Sequence, residues 1–270
     1  MRFLLHALKR LVVIGLGIFA VWIVAFVVFP FTDKRTPLVL AVAITYAIAA
    51  YIILPFLVRL GTKVIQVKKA PRYTISVDGF TSDPVNMVLV GTFGQLRQAF
   101  AKAGWAEAEP LSFKSSIKMA RSFVFKQSYP NAPFSTLFLF GRGQDIGFQK
   151  AIGDGPRKRH HVRFWGKDFE QAEKSLGTAA FWLNADKPDE DRPYIWLGAG
   201  TKDTGLAVTK LTFQFTHATD DDTNAERDFI IGELLAQNAI DTPRTQSTRA
   251  STEKVNRYIT DGEVAVAELK

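Results

Sequence analysis

Residues 155–165, Gly-Pro-Arg-Lys-Arg-His-His-Val-Arg-Phe-Trp, join a turn to an alternating run that ends in two aromatic residues. Side chains alternate between the two faces of a strand, so residues 160–165 predict a strand with two unlike faces. One face carries His160, Val162 and Phe164, and the other carries His161, Arg163 and Trp165. Four basic residues and two of the chain's four histidines lie within positions 157–163. This stretch is therefore the first candidate for a binding site.

Further short strands are predicted on both sides of this run, because apolar and β-branched segments there are bounded by turn-forming residues. They cover residues 84–90, 135–140, 146–151, 194–200, 206–217 and 263–269, with a hairpin turn at residues 202–205. Helices are predicted at residues 92–103, 112–123, 169–176 and 225–237. The pattern favours an α+β domain of two layers, in which a predominantly antiparallel sheet carries the helices on one face.

Two uncharged apolar runs of 21 residues each, 11–31 and 38–58, precede this domain. Each is long enough to cross a hydrocarbon core of roughly 30 Å as a helix, and a short polar connection between them predicts a hairpin. We therefore divide the chain into a transmembrane helical hairpin, residues 1–69, and a soluble domain, residues 70–270. A cleaved signal peptide over residues 1–31 is the less favoured alternative, because a second span follows and no small-residue cleavage site does.

The positive charge of the chain belongs to its N-terminal part. Residues 1–72 hold ten basic residues and one acid, whereas the remaining 198 residues hold 24 basic and 25 acidic residues. This balance argues against a broad nucleic-acid-binding surface on the soluble domain. Basic residues flank the hairpin on the side of both termini, so the positive-inside rule predicts two spans of a bacterial-type inner (plasma) membrane with both termini in the cytoplasm. The cluster at residues 59–72 also suits anionic phospholipid headgroups.

One candidate site is an anion site formed by the basic run and its histidine, with charge-assisted hydrogen bonds to a phosphate. Its members would be Arg157, Arg159, His161 and Arg163. In a membrane-tethered domain, such a site would serve a phospholipid headgroup or a phosphorylated metabolite, without clear catalytic equipment. The alternative interpretation is a solvated turn beside a sheet.

A second candidate is a metal site. If the aromatic faces of the two strands both point inward, His160 and His217 share an interior, and Asp220 follows at the strand end. Imidazole and carboxylate ligands suit Zn or Mn, and a metal-assisted phosphoester hydrolase would then use these three residues for catalysis at the membrane. The competing interpretation is that Asp220, Asp222 and Asn224 cap the following helix.

Several other chemistries find no support in the sequence. The chain has no cysteine, which excludes disulfides and thiolate chemistry, and it lacks a Gly-x-Ser-x-Gly nucleophile motif. Glu226, Arg227 and Asp228 are interpreted as helix-dipole compensation and an ion pair. Whether the protein is an enzyme is left open, and a scaffold for a membrane-protein partner is the third hypothesis.

The soluble domain resembles the LssY-like C-terminal domain family. The resemblance rests on Pro84-Val85-Asn86, Ala103-Gly104-Trp105, the block from Ala132 to Asp145, the run from Arg157 to Trp165, and Thr216-His217 through Asp228. It implies a membrane setting, since the domain occurs behind membrane helices or beside lipid-phosphatase-type domains, and it does not supply a reaction. Ala218 and Asn224 depart from the family pattern, where a second histidine and an acid are usual, which weakens the metal-site hypothesis.

Overall fold

A computed structural model describes residues 2–65, 71–125, 127–153, 158–167, 188–208, 215–247, 253–255 and 258–270. The N-terminal part is a pair of long helices, each interrupted by one π-helical segment. The first comprises α1 (Arg2–Ile23), the π segment Val24–Val28 and α2 (Phe29–Asp33); the second comprises α3 (Leu38–Ile48), the π segment Ala49–Ile53 and α4 (Leu54–Ile65).

The two helices contain segments long and apolar enough to cross a membrane, Ile14–Asp33 and Leu38–Thr62. Most of their side chains are exposed to the surroundings, as expected for surfaces that face lipid. The helices are joined by a hydrogen bond between the buried hydroxyls of Thr32 and Thr45, whose oxygen atoms are 2.9 Å apart. Interhelical bonds between small polar side chains are common within membranes. The predicted two-helix N-terminal hairpin is confirmed.

The domain that follows contains three helices in the described ranges: α5 (Phe93–Lys102), α6 (Phe113–Val124) and α7 (Thr223–Ala236). Its strands are β1 (Tyr73–Ser76), β2 (Thr81–Pro84), β3 (Met87–Thr92), β4 (Ala106–Glu107), β5 (Leu137–Leu139), β6 (Arg142–Gly143), β7 (Ile146–Ala151), β8 (Arg159–Lys167), β9 (Pro193–Val208), β10 (Phe215–Thr219), β11 (Arg244–Ser247), β12 (Glu253–Val255), β13 (Tyr258–Thr260) and β14 (Glu263–Glu268).

The predicted helix starts agree with the structure. Thr92 and Ser112 each cap a helix and form a reciprocal capping box with the third helical residue, Gln95 and Ser115 respectively. Each box satisfies backbone donors that a helix start leaves without an internal partner. The predicted helix at residues 169–176 lies outside the described residues.

The strands form a large sheet in the order β11-β14-β3-β9-β8-β7-β4, with β10 paired to β9, and a small sheet in the order β2-β1-β5-β6. β12 and β13 pair with each other. All described pairings are antiparallel except that of β14 with β3. The predominantly antiparallel α+β domain is therefore confirmed.

The large sheet is covered on both faces. On one face, α5 and α7 contribute Leu96, Phe100, Ile230 and Leu234 to an apolar core with the even-numbered residues of β8. On the other face, β5 of the small sheet packs Leu137 and Leu139 against Trp165, Leu197 and Ala199. α5 and α7 lie on one face as predicted, but the expectation of two layers is wrong, because the short strands of the small sheet form a third layer.

The predicted hairpin turn at residues 202–205 is also wrong. β9 continues through this segment to Val208, and β10 pairs with its far end. Asp203 pairs with Arg159 of β8 and also with Thr219 of β10. Backbone partners on both edges therefore hold the chain extended where the turn residues Lys-Asp-Thr-Gly predicted a reversal.

The second membrane helix contacts the domain directly. Arg59 of α4 is buried, and its Nε donates a hydrogen bond of 3.3 Å to the carbonyl of Gly141 in the turn between β5 and β6. This turn is tight, with positive φ at both Phe140 (54°) and Gly141 (73°), as two-residue hairpin turns of this kind require. Val58 approaches Gly79 in the turn between β1 and β2. Two turns of the small sheet thus rest on the end of α4.

Candidate functional site

The odd-numbered face of β8 carries three buried polar side chains, Arg159, His161 and Arg163. Together with the two carboxylates that pair with the arginines, Asp83 and Asp203, they form what we call the arginine cluster. A single strand presents all three basic groups, because alternate residues of β8 point into the layer between the two sheets. The cluster therefore lies inside the domain rather than on a solvated turn.

The neighbouring strand β9 contributes Asp203 to the cluster, because its register places this residue beside the basic residues of β8. Arg159 lies opposite Asp203 and His161 lies opposite Thr201. The Nε atom of Arg159 donates to Asp203 Oδ2 at 2.8 Å, and a second donor of the same guanidinium bonds to Gln149 of β7. Both charges of the Arg159–Asp203 pair are almost fully withdrawn from water.

The second carboxylate, that of Asp83, and its partner Tyr258 come from segments that are distant from β8 in the sequence. Arg163 Nη1 donates to Asp83 Oδ2 at 3.0 Å, and the hydroxyl of Tyr258 donates to Asp83 Oδ1 at 2.8 Å. Arg163 Nη1 also lies 2.7 Å from His161 Nε2. A guanidinium only donates, so Nε2 accepts this bond and the ring proton sits on Nδ1, which is 3.1 Å from Asp203 Oδ1.

Phe134 closes the cluster from the small-sheet side. Its ring lies 5.0 Å from the Arg159 guanidinium and 4.9 Å from that of Arg163, within the range of cation–π contacts. The ring approaches so closely because Gly147 has no side chain: a Cβ at this position would lie 2.3 Å from a Phe134 ring atom. Gly147 thus permits an aromatic wall against two arginines.

Burial of the cluster disfavours the charged form of Arg159. Burial lowers the pKa of Arg159; Asp203 counteracts this effect, and the charge of Arg163 adds to it. Arg163 Nε, a buried donor, has no hydrogen bond among the described residues, whereas His161 Nδ1 faces Asp203 Oδ1 at 3.1 Å. An unsatisfied buried donor costs free energy, so Arg163 Nε has capacity for a further acceptor.

His160 lies on the opposite face of β8, beneath α7. Its Nδ1 is 2.8 Å from Glu226 Oε2, and its ring stacks on Phe229 with centroids 4.1 Å apart. An ionised carboxylate only accepts hydrogen bonds, so this contact directs the Nδ1 proton toward Glu226. Glu226 is the acidic residue in the first turn of α7, as dipole compensation requires, and its buried carboxylate also pairs with His160. Arg227 forms the expected ion pair with Asp228 and bonds to Asp261 as well.

The structure does not assemble a metal centre from the described side chains. Among these, no group of three or more potential ligands is close enough to hold an ion. His160 lies opposite Lys202 and His217 opposite Leu206, which separates the two positions by about 13 Å along β9 at roughly 3.3 Å per residue. The side chain of His217 lies outside the description, so a metal site at His160, His217 and Asp220 stays a prediction.

The acidic residues after β10 accept hydrogen bonds from backbone N–H groups at and before the start of α7. Asp222 caps α7 by accepting from the backbone N–H groups of Asn224 and Ala225. Asp220 accepts from the N–H of Asp222, and its own N–H donates to the carbonyl of Lys202. These contacts agree with the capping interpretation of this segment.

Of the four residues predicted to bind an anion, Arg159, His161 and Arg163 lie together, whereas Arg157 lies outside the described residues. Their partners were missed by sequence reasoning. Asp83, Phe134, Asp203 and Tyr258 carry no local motif, and the first and last of them are 175 positions apart. Only the alternation within residues 159–163 signalled that the basic residues share a face.

These features define a membrane-anchored α+β domain with a buried basic cluster between two sheets. Residues 67–264 match the model of the family described as LssY C-terminus, and the chain belongs to that family. Among curated proteins, it is 29% identical over 118 residues to FMN-dependent NADH:quinone oxidoreductase 2 of Clostridium acetobutylicum, a match that covers 41% of this chain and 54% of that protein. The chain thus spans about half the length of this curated relative. No solved structure matches it.

Proposed function

We propose that the protein is a membrane-anchored domain that binds a phosphate-bearing anion, such as a phospholipid headgroup or a phosphorylated metabolite, at the arginine cluster. The observation that carries the proposal is the convergence of Arg159, His161 and Arg163 on one buried face against the ring of Phe134. Arginine is well suited to phosphate because its planar group presents several donors in a fixed geometry.

An unsatisfied donor of the cluster supports this proposal. Arg163 Nε lacks a hydrogen bond in the described structure, and a phosphate oxygen would satisfy it. Burial and, to a smaller extent, the charge of Arg163 lower the pKa of Arg159, and a bound anion would favour the charged form of that guanidinium. Lys158, which is exposed, directly precedes Arg159 and adds positive charge at the start of β8.

The expected result is that phosphate stabilises the protein through Arg163. We expect inorganic phosphate and glycerol 3-phosphate to raise the midpoint temperature of thermal unfolding of the full chain in neutral detergent. At a concentration a hundredfold above the dissociation constant, the free energy of unfolding should increase by about 2.7 kcal/mol. Arg163→Lys keeps the charge but loses the fork of donors, so its midpoint should rise much less. Differential scanning fluorimetry measures both midpoints.

Arg244→Lys is the matched control, because Arg244 lies on the exposed strand β11. A second arm distinguishes the sources of phosphate by comparing nanodiscs of phosphatidylcholine with nanodiscs containing phosphatidylglycerol. Stabilisation by the lipid alone identifies a headgroup, and stabilisation by the soluble anions identifies a metabolite. Equal responses of the wild type, Arg163→Lys and Arg244→Lys to every anion would disprove the proposal.

We further propose that the protein lies in a bacterial-type inner membrane with both termini in the cytoplasm. Support comes from the basic residues that flank the spans on the terminal side, against a short loop between the spans that holds Lys34 and Arg35 beside Asp33. The chain contains no cysteine, so single cysteines report accessibility cleanly. In intact cells, an impermeant maleimide should label Thr36→Cys and leave Lys270→Cys unlabelled until the membrane is opened. The reverse pattern would invert the topology.

A further inference from the structure

The described side chains of helix α6 include buried serines and exposed apolar residues, the reverse of the usual arrangement in a soluble domain. The face it turns toward the protein carries two serines seven positions apart, Ser115 and Ser122, which are 3% and 5% exposed. Their hydroxyls donate to the carbonyls of Pro110 and Gln127, respectively. A helix that packs on a sheet normally buries apolar residues at this spacing.

The opposite face of α6 is apolar and exposed. Ile117 and Val124, also seven positions apart, are 47% and 72% exposed, and the flanking residues Leu111 and Phe125 are 53% and 64% exposed. Scattered exposed apolar residues are normal in soluble proteins, whereas several of them grouped on one short segment mark a candidate interaction surface. We call this group, Leu111, Ile117, Val124 and Phe125, the apolar ridge.

Basic side chains border the apolar ridge. Lys114, Lys118 and Arg121 lie on the exposed part of α6, and the sequence from residue 110 to residue 130 contains no acid. Glu109 pairs with Lys118 at 2.9 Å, and Tyr129 lies against the same ammonium. An apolar row bordered by Lys and Arg is typical of helices that lie in the plane of a membrane surface.

The chain enters α6 at the end of the domain that contacts the membrane helices. β4 runs antiparallel to β7, and the N–H of Ala108 beyond it bonds to the carbonyl of Gly147. At this end of the large sheet, Asp145 forms an ion pair with Arg142, whose turn neighbour Gly141 accepts the bond from Arg59 of α4.

We propose that α6 lies in the membrane–water interface beside the hairpin, with the apolar ridge against the acyl chains and its basic side chains among anionic headgroups. The occupant of this face is the lipid bilayer in which the chain is already anchored. The interfacial helix adds a second contact with the bilayer to the one that the domain makes with α4 through Arg59 and Val58, and the two together fix the orientation of the domain on the membrane. This inference concerns a different surface from the arginine cluster and does not depend on anion binding there.

The test uses the full chain in nanodiscs and exploits its lack of cysteine. An environment-sensitive fluorophore on Val124→Cys should show blue-shifted emission in phosphatidylglycerol nanodiscs and be quenched by a nitroxide on the lipid acyl chains. The same fluorophore on Ala236→Cys, at the exposed end of α7, should emit as in water and escape quenching. Replacing Lys114, Lys118 and Arg121 by Gln in the Val124→Cys chain should reduce the quenching, most strongly in anionic lipid.

Two outcomes would overturn the inference. If the Val124 fluorophore emits as in water and is not quenched, the apolar ridge faces solvent. If its emission is blue-shifted but the lipid nitroxide does not quench it, the ridge is covered by protein, either a second copy or another partner. Circular dichroism of each labelled variant checks that the domain has folded, so that a misfolded chain is not scored.

Discussion

Asp203→Ala is expected to destabilise the domain by about 3–5 kcal/mol, the cost of removing one partner of a buried ion pair. Asp203 accepts from Arg159 Nε and lies beside His161, and both members of the ion pair are withdrawn from water. Its removal leaves the buried Arg159 guanidinium beside the like charge of Arg163, with Gln149 and the ring of Phe134 as its remaining contacts among the described residues. The expected decrease in the free energy of unfolding therefore reflects an uncompensated buried charge, and not the net contribution of one salt bridge.

Urea denaturation in detergent, followed by tryptophan fluorescence, measures this change. Asp221→Ala is the matched control, because Asp221 is an exposed aspartate in the connection between β10 and α7, and substitutions of this kind typically change stability by less than about 0.5 kcal/mol. If the two variants unfolded at the same urea concentration, the arginine cluster would not be the buried network that the structure shows.

Phe100→Ala is expected to cost a similar amount, about 3–5 kcal/mol, by leaving a cavity in the apolar core. Phe100 of α5 is fully buried and stacks on Phe148 with centroids 4.3 Å apart. Its edge contacts Trp105 and Phe164, so it joins α5 to both β7 and β8. Loss of the ring removes these contacts together.

The same denaturation assay applies to this variant, with Leu235→Ala on the exposed side of α7 as the control. Phe100→Leu should fall between the wild type and Phe100→Ala, because it fills part of the cavity. If Phe100→Ala were no less stable than Leu235→Ala, the position of α5 on the large sheet would be wrong.

The local signals in the sequence were sufficient for much of the fold. Thr92 and Ser112 precede helical segments with a side chain three residues later that completes a capping box, and both helices begin where predicted. Residues 146–151 form a strand with the predicted bounds. These elements depend on residues close together in the sequence, which is why sequence patterns alone predict them.

Elements that depend on distant partners were not predictable in this way. The segment Lys202–Gly205 has the composition of a turn, yet Gly205 is not among the glycines with positive φ, and β8 and β10 hold this segment in the sheet. β5 lies within the strand predicted at residues 135–140, but the other strands of the small sheet, β1, β2 and β6, contain only four, four and two residues, too few to show a period.

The candidate site likewise combines features that the local sequence predicts with partners that it does not. The alternation of β8 placed His161 and Arg163 on one face and His160 on the other, as the structure has them. The counter-charges Asp83 and Asp203 come from other strands, and their identity is set by register and by the packing of two sheets. No spacing rule within a single segment contains that information.

The bond from Arg59 to Gly141 has a mechanical consequence. A helix whose hydrophobic length differs from the thickness of the bilayer responds by tilting. Because Arg59 of α4 bonds to this two-residue turn, we expect a change in the tilt of α4 to displace the small sheet. Bilayer thickness should then influence the packing of the small sheet on the large one.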